Sequence, residues 1–162
     1  MRTKLFFLCF GLQCCLFAQD KNKINQTLDN WHQAAATADE ETYFETMTVD
    51  AHFIGSDADE NWEMDAFKAY AMPHFQGEYA WVFVPQQRHI YFNKDHNTAW
   101  FDETLESEHM GLCSGSGVLV KSKNEWKIAH YVLSILVPNT QVKQVVKAKR
   151  QHDKNFLKNS VK

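Results

Sequence analysis

The chain is poor in residues that staple, bend or break a backbone. Its 162 residues include four cysteines, three prolines and six glycines. Cys9, Cys14 and Cys15 fall within residues 1–18, which leaves Cys113 alone in the remainder. One thiol cannot close an internal disulfide, even in an oxidising compartment, so an apolar core must hold the fold. No apolar run reaches the ~20 residues that cross a bilayer. None of the eight histidines forms a His-x-His or His-Glu-x-x-His pattern, and the expectation is that no metal and no cofactor is bound. His109 and Cys113, four apart, are only a faint metal hint. Positive charge is scarce over residues 19–139, where 8 Lys and Arg face 19 Asp and Glu, a balance of −11. Such a surface does not suit nucleic acid. There is no internal repeat and no low-complexity linker.

What is present begins with a leader-like segment. Arg2 and Lys4 precede an apolar stretch from Leu5 to Phe17, and Ala18 supplies a small residue for cleavage. This is the layout of a secretory signal peptide, with the mature chain starting at Gln19. The expectation is an exported protein, periplasmic or secreted, with no stable membrane anchor after cleavage. An uncleaved anchor is the alternative. About 144 residues would remain, enough for one domain with its own core. Residues 140–162 reverse the charge, with seven Lys and Arg against Asp153, a balance of +6. The chain thus divides into leader 1–18, domain 19–139 and basic tail 140–162.

Within the domain, Ile24, Leu28, Trp31, Ala35 and Ala38 follow helical spacing and predict a helix over 24–38. Asp39 caps a second short helix with Glu40 and Glu41 in its first turn and Tyr43, Phe44 and Met47 on its apolar face. Residues 51–55 read as a strand. A third helix runs from about Glu63 to Met72 and stops at Pro73. Strands follow at 79–93, 98–106 and in a long hairpin over 112–137 that turns at 122–125, and a helix over 140–157 ends the chain. Helices first and antiparallel strands after make an α+β fold, with helices against a curved sheet.

The stretch Gly55-Ser-Asp-Ala-Asp-Glu-Asn-Trp62 tests one function directly. Asp57, Asp59 and Asn61 alternate like the start of a calcium loop. Position 6 of such a loop must be Gly and position 12 Glu, but they are Trp62 and Lys68 here. Calcium is set aside. The local reading is a cap by Ser56 or Asp57, with Trp62 packed as a plug.

The hairpin offers a geometric expectation. If Lys121 pairs with Trp126 and the register holds, Gly117 faces His130 and Gly115 faces Val132 on the core side. Two glycines beside a histidine would leave a gap, as at the wall of a pocket.

The segments "FIGSDADENW", "AWFDETL", "CSGSGVLVK" and "EWKIAHYVLSILVPN" resemble, in order and spacing, the SnoaL-like domains of the nuclear-transport-factor-two-like superfamily. The resemblance covers about residues 24–140. It implies a cone-shaped α+β fold, with N-terminal helices packed into a strongly curved antiparallel sheet, a pocket at the cone's mouth and, in many members, a homodimer through the outer sheet face. The superfamily holds isomerases, cyclases and dehydratases together with non-catalytic binding domains, so fold alone does not deliver function.

Two functions follow as expectations. The first is an exported domain whose apolar pocket binds a small apolar molecule without catalysis. Trp31, Phe53, Asp57, Trp62, Tyr70, Trp100, Gly115 and Gly117 would line that pocket, with Asp57 at its mouth. The second is a cofactor-free acid–base enzyme of isomerase, dehydratase or cyclase type. In it Asp102, taken to share an inward face with Trp100, is the base, and His130 is the second acid–base group. In the bland alternative Asp102 lies at the surface and His130 is a bonded core histidine. Cys113 reads as a small apolar filler.

Overall fold

A computed structural model describes the backbone of residues 4–160 and the side chains of residues 19–159. The expected leader, 1–18, therefore lies outside the residues whose side chains are described. Helix α1 spans Lys4–Ala36, α2 Glu40–Glu45, α3 Met64–Ala71 and α4 Val142–Ser160. The strands are β1 (Met47–Ile54), β2 (Asn61–Glu63), β3 (Val84–Phe92), β4 (Thr98–Ser107), β5 (Gly111–Ser122) and β6 (Glu125–Ile135). They form one sheet in the order β2-β1-β6-β5-β4-β3. The long meander β3–β6 is antiparallel, as expected. The sheet as a whole is mixed, because β1 pairs with β6 in parallel. No described helix is long and apolar enough to cross a membrane.

The apolar stripe of α1 packs into the hollow of the sheet. Ile24, Leu28, Trp31, Ala34 and Ala35 are all buried there. The helix ends when Ala38 adopts a left-handed φ of 54°. Asp39 then caps α2, its side chain accepting the Thr42 amide proton at 3.1 Å. Tyr43 points into the core from α2, whereas Met47, expected on that helix, opens β1. The strand expected to begin at 79 starts at Val84, and a register shift at Pro85–Gln87 marks the bend that this proline imposes.

The hairpin turns through Lys123 and Asn124, both with positive φ (48° and 71°), a two-residue primed turn that matches the twist of the strands. Lys121 pairs with Trp126 as expected, and Leu119 with Ile128. Beyond that point the register shifts by one residue, so Val118 meets His130, Gly117 meets Tyr131 and Gly115 meets Leu133. This bulge corrects the sequence reading. One extra residue in β6 moves His130 off the core side and puts Tyr131 and Leu133 inside, both buried.

The two glycines keep their place but change their purpose. A Cβ on Gly115 would collide with the Tyr131 hydroxyl and with the Glu103 side chain, and one on Gly117 with the His130 carbonyl and the Phe101 ring. They admit close neighbours rather than leave a void.

Candidate functional site

The cone opens at a cleft of about 240 Å³. Its walls come from six parts of the chain. Phe53 and Gly55 stand at the end of β1, Trp62 on β2, and Phe67 and Tyr70 on α3. His74, Ala80, Trp81 and Phe83 lie on the segment before β3, and Met110 and Leu133 belong to the turn-and-strand floor. The aromatic rings contact one another in series. Phe53 and Phe67 stack at 4.1 Å, Trp62 and Tyr70 at 4.5 Å, and Tyr70 meets His74 at 5.4 Å. Tyr70 projects to the rim, 44% exposed, three residues along the same face of α3 from the buried Phe67. Burial, helped by the nearby Glu60 charge, pushes the Tyr70 phenol above its ordinary pKa, so it is a neutral donor at physiological pH.

The 55–62 stretch builds this rim. Gly55 donates to the Glu60 carbonyl at 2.8 Å. The Asp59 amide donates to Asp57 Oδ1 at 3.2 Å, and Glu60 Oε2 accepts the Asp57 amide proton at 3.1 Å. Asp57 thus closes a turn; the cap of α3 is Glu63, which makes no side-chain cap bond. Trp62 is a half-buried wall of the cleft, so the plug reading holds in part. Asp57, Asp59 and His152 of α4 each bring a ligand atom within 4.8 Å of the others, all three being exposed. His152 Nε2 stands 3.6 Å from Asp57 Oδ1.

A buried charged cluster adjoins the cleft through Tyr131, whose ring lies 5.5 Å from that of Phe53. Glu103 is 2% exposed and points inward from β4. Its Oε1 is 2.8 Å from His32 Nε2 and accepts from the Tyr131 hydroxyl at 3.3 Å. Its Oε2 accepts from Arg88 Nε at 2.8 Å. Arg88 in turn donates to Asp29 at 2.8 Å and to Asn25 at 3.3 Å, tying β3 to α1. Burial pushes the Glu103 carboxyl up, but the bond and charge of His32 and the Arg88 guanidinium outweigh it and hold it below the ordinary range. Glu103 is therefore an ionised carboxylate with both oxygens occupied. Its bonds tie β4 to α1, β3 and β6.

The expected site residues divide sharply. Phe53, Trp62 and Tyr70 line the cleft. Asp57 is in the rim turn, outside the lining. Trp31 is deeper, 2% exposed, stacked on Tyr43 at 4.9 Å and edge-on to Tyr131 at 4.7 Å. Gly115 and Gly117 lie under Tyr131, Glu103 and Phe101. Trp100 and Asp102 require correction, because their face of β4 is the outer one. Trp100 is 46% exposed and stacks on Tyr91 at 6.0 Å. Asp102 is exposed and sits 2.8 Å from His89 Nδ1. His130 is half-buried on the same outer side. β5 runs between the strands of Asp102 and His130, which puts those strands about 10 Å apart, and Asp102 is engaged with His89 on β3, its neighbour on the opposite side.

The comparisons agree with this architecture. The SnoaL-like domain family matches residues 24–138. No curated protein matches the chain. Among solved structures, an NTF2-like protein of unknown function from Pseudomonas putida KT2440 is similar, with 14% identity, 76% of this chain and 90% of that chain covered, and a TM-score of 0.63. A function-unknown protein from Mycobacterium tuberculosis also aligns, at 14% identity over 79% of this chain and 78% of that one, with a TM-score of 0.63. The association domain of C. elegans CaMKII aligns at 14% identity over 72% of this chain and 96% of that one, with a TM-score of 0.55. Identity this low speaks to fold alone. With the helices, the mixed sheet and the family match in agreement, the chain belongs to the SnoaL-like domain family.

Proposed function

We propose that this is an exported, non-catalytic binding domain whose cone-mouth cleft holds a small, flat, largely apolar molecule. The observation that carries the reading is the pairing of an aromatic cleft with a buried carboxylate whose two oxygens are both engaged. The walls are aromatic and apolar, and their polar groups are few and at the rim: Ser56, Glu60, Tyr70 and His74. The buried acid Glu103 already has both oxygens hydrogen-bonded, one to His32 and Tyr131 and the other to Arg88. At about 240 Å³ the cleft is smaller than the ~300–1,000 Å³ typical of drug-sized ligands, which favours a ligand of one or two rings. Stacked rings give such a ligand shape-selective contact, and the rim groups can orient one polar substituent.

Export rests on the leader-like composition of residues 1–18. Asp20 is buried, and Lys121 donates to both its oxygens at 2.8–2.9 Å, a tie between α1 and the hairpin that cleavage after Ala18 would leave in place. A homodimer through the outer sheet face is part of the same proposal, supported by the exposed Tyr91–Trp100 stack on that face.

A thermal-shift screen with planar aromatic and alicyclic molecules tests the cleft. A ligand at 100 times its dissociation constant adds about 2.7 kcal/mol, a rise of several degrees at the midpoint. Hits that disappear in both Tyr70→Ala and His74→Ala support the proposal. Absence of any hit, or hits indifferent to both changes, would sink it.

A further inference from the structure

Two surfaces of this molecule are unexplained by the cleft, and each has what the other lacks. The first is α4. Lys143, Lys147, Arg150, Lys154 and Lys158 follow one another at intervals of four, three, four and four residues, so all five lie on one helical face. All are exposed, and among the described residues none is in an ion pair. Like charges at this spacing destabilise a helix that faces only water. The acid on α4, Asp153, pairs with Lys149 at 3.3 Å, off that face. Beside the cationic ladder runs an apolar edge of Val142, Val146 and Leu157, 42%, 47% and 61% exposed.

The second surface is a groove of about 560 Å³ between α2, β1 and α3. Its floor is apolar, with Phe44, Met47, Met64 and Met72, and Val49 stands beside them 92% exposed. Val49 is at the register shift of β1, where the strand leaves its pairing with β6. Glu40, Glu41 and Glu45 form one rim. Two lysines are also present, but each is already engaged: Lys127 donates to the Glu45 carbonyl at 2.6 Å, and Lys68 sits 5.3 Å above the Phe44 ring.

We propose that the groove receives the first turns of α4 from a second copy of this chain. Val142 and Val146 would cover Val49 and the methionine floor, and Lys143, Lys147 and Arg150 would face Glu40, Glu41 and Glu45. Charge decides the occupant. An anionic membrane or a nucleic acid would meet the five cations, but it would also meet a body carrying −11 over residues 19–139. A second copy turns that body from an opponent into the partner. The surface differs from the outer sheet face, so the inference stands without the dimer proposed above.

Two charge-reversed variants test it. One carries Glu40→Lys, Glu41→Lys and Glu45→Lys; the other carries Lys143→Glu, Lys147→Glu and Arg150→Glu. Light scattering at micromolar concentration should show the native chain one assembly step above either variant alone, with association weakened about tenfold or more. Mixing the two variants should restore the larger species, because each supplies a surface complementary to the other's. The α4 variant alters only exposed residues on a helix outside the core, so it reports even if the α2 changes weaken that short helix. Masses unchanged by both reversals would overturn the proposal. So would recovery only when all six changes are in one chain, which means that the helix folds back on its own body. Sedimentation with anionic vesicles that is lost in the α4 variant, with self-association intact, would assign the helix to lipid instead.

Discussion

Asp102 and Glu103 are neighbours in sequence, both acidic, and each lies 2.8 Å from a histidine nitrogen. Their surroundings differ in every other respect. Asp102 and His89 are on the outer face with side chains 51% and 60% exposed, where water and salt screen the pair. Glu103 and His32 are at 0% and 6%, with Arg88 and Tyr131 completing the shell. The distance is the same and the consequence is not. A surface pair of this kind contributes about 0–1 kcal/mol. Removing one partner of a buried pair leaves a charge stranded, at about 3–5 kcal/mol.

The largest expected effect comes from removing the inner carboxylate. Glu103→Gln should destabilise the fold by about 3–5 kcal/mol in a denaturant titration, because Arg88 loses its buried counter-charge. It should also change the acid limb of the stability curve. The folded carboxyl lies below its unfolded value, so its contribution is complete above the ordinary Glu pKa of ~4.3 and is lost as pH falls through the lower folded value. The variant lacks that component, and its acid limb should be shallower. Some slope remains, since Asp20 and Asp39 are shifted the same way: for Asp20 burial is outweighed by Lys121 and Trp126, and Asp39 accepts the Thr42 bonds. A variant within about 1 kcal/mol of the native chain would show that the inner and outer pairs are equivalent after all.

A smaller effect tests how tightly the inner face is packed. Gly115→Ala puts a Cβ against the Tyr131 hydroxyl and the Glu103 side chain. Overpacking of this kind costs about 1–3 kcal/mol. If the cluster is as fixed as its hydrogen bonds indicate, calorimetry should show that loss. A neutral result would mean that Tyr131 and Glu103 move aside freely.

Much of the fold was legible because local signals agreed with one another: the stripe of α1, the Asp39 cap, Pro73 after α3 and the turn at 122–125. The family resemblance then supplied the cone. The inner face of β4 is the one opposite Trp100 and Asp102. The alternation Ala99, Phe101, Glu103, Leu105 carries more small and apolar residues, and it is the buried set. The bulge left no comparable mark: the buried positions 126, 128, 131 and 133 break the two-residue period only in the folded sheet, and the apolar run Tyr131-Val132-Leu133 fits either register in sequence. The partners of Glu103 had no such mark either. His32 and Arg88 lie 71 and 15 residues away from it in the chain, and only the tertiary fold brings them together. The unexpected parallel pairing of β1 with β6 is equally non-local.

The smallest expected effect belongs to the outer pair, and it sharpens the contrast most. Asp102→Asn removes a charge from a half-exposed side chain whose partner is exposed as well, so stability should change by no more than about 0.5 kcal/mol. The small native contribution should fade further as salt is raised, since the Debye length shrinks from ~8 Å at physiological ionic strength to ~3 Å at 1 M. The loss in Glu103→Gln should be nearly indifferent to the same salt, because no counter-ion reaches a side chain with no exposed surface. Measuring both variants at low and high salt therefore separates the faces of β4 by mechanism. A salt-sensitive Glu103 and a salt-insensitive Asp102 would exchange their assignments and turn Asp102 back toward the interior.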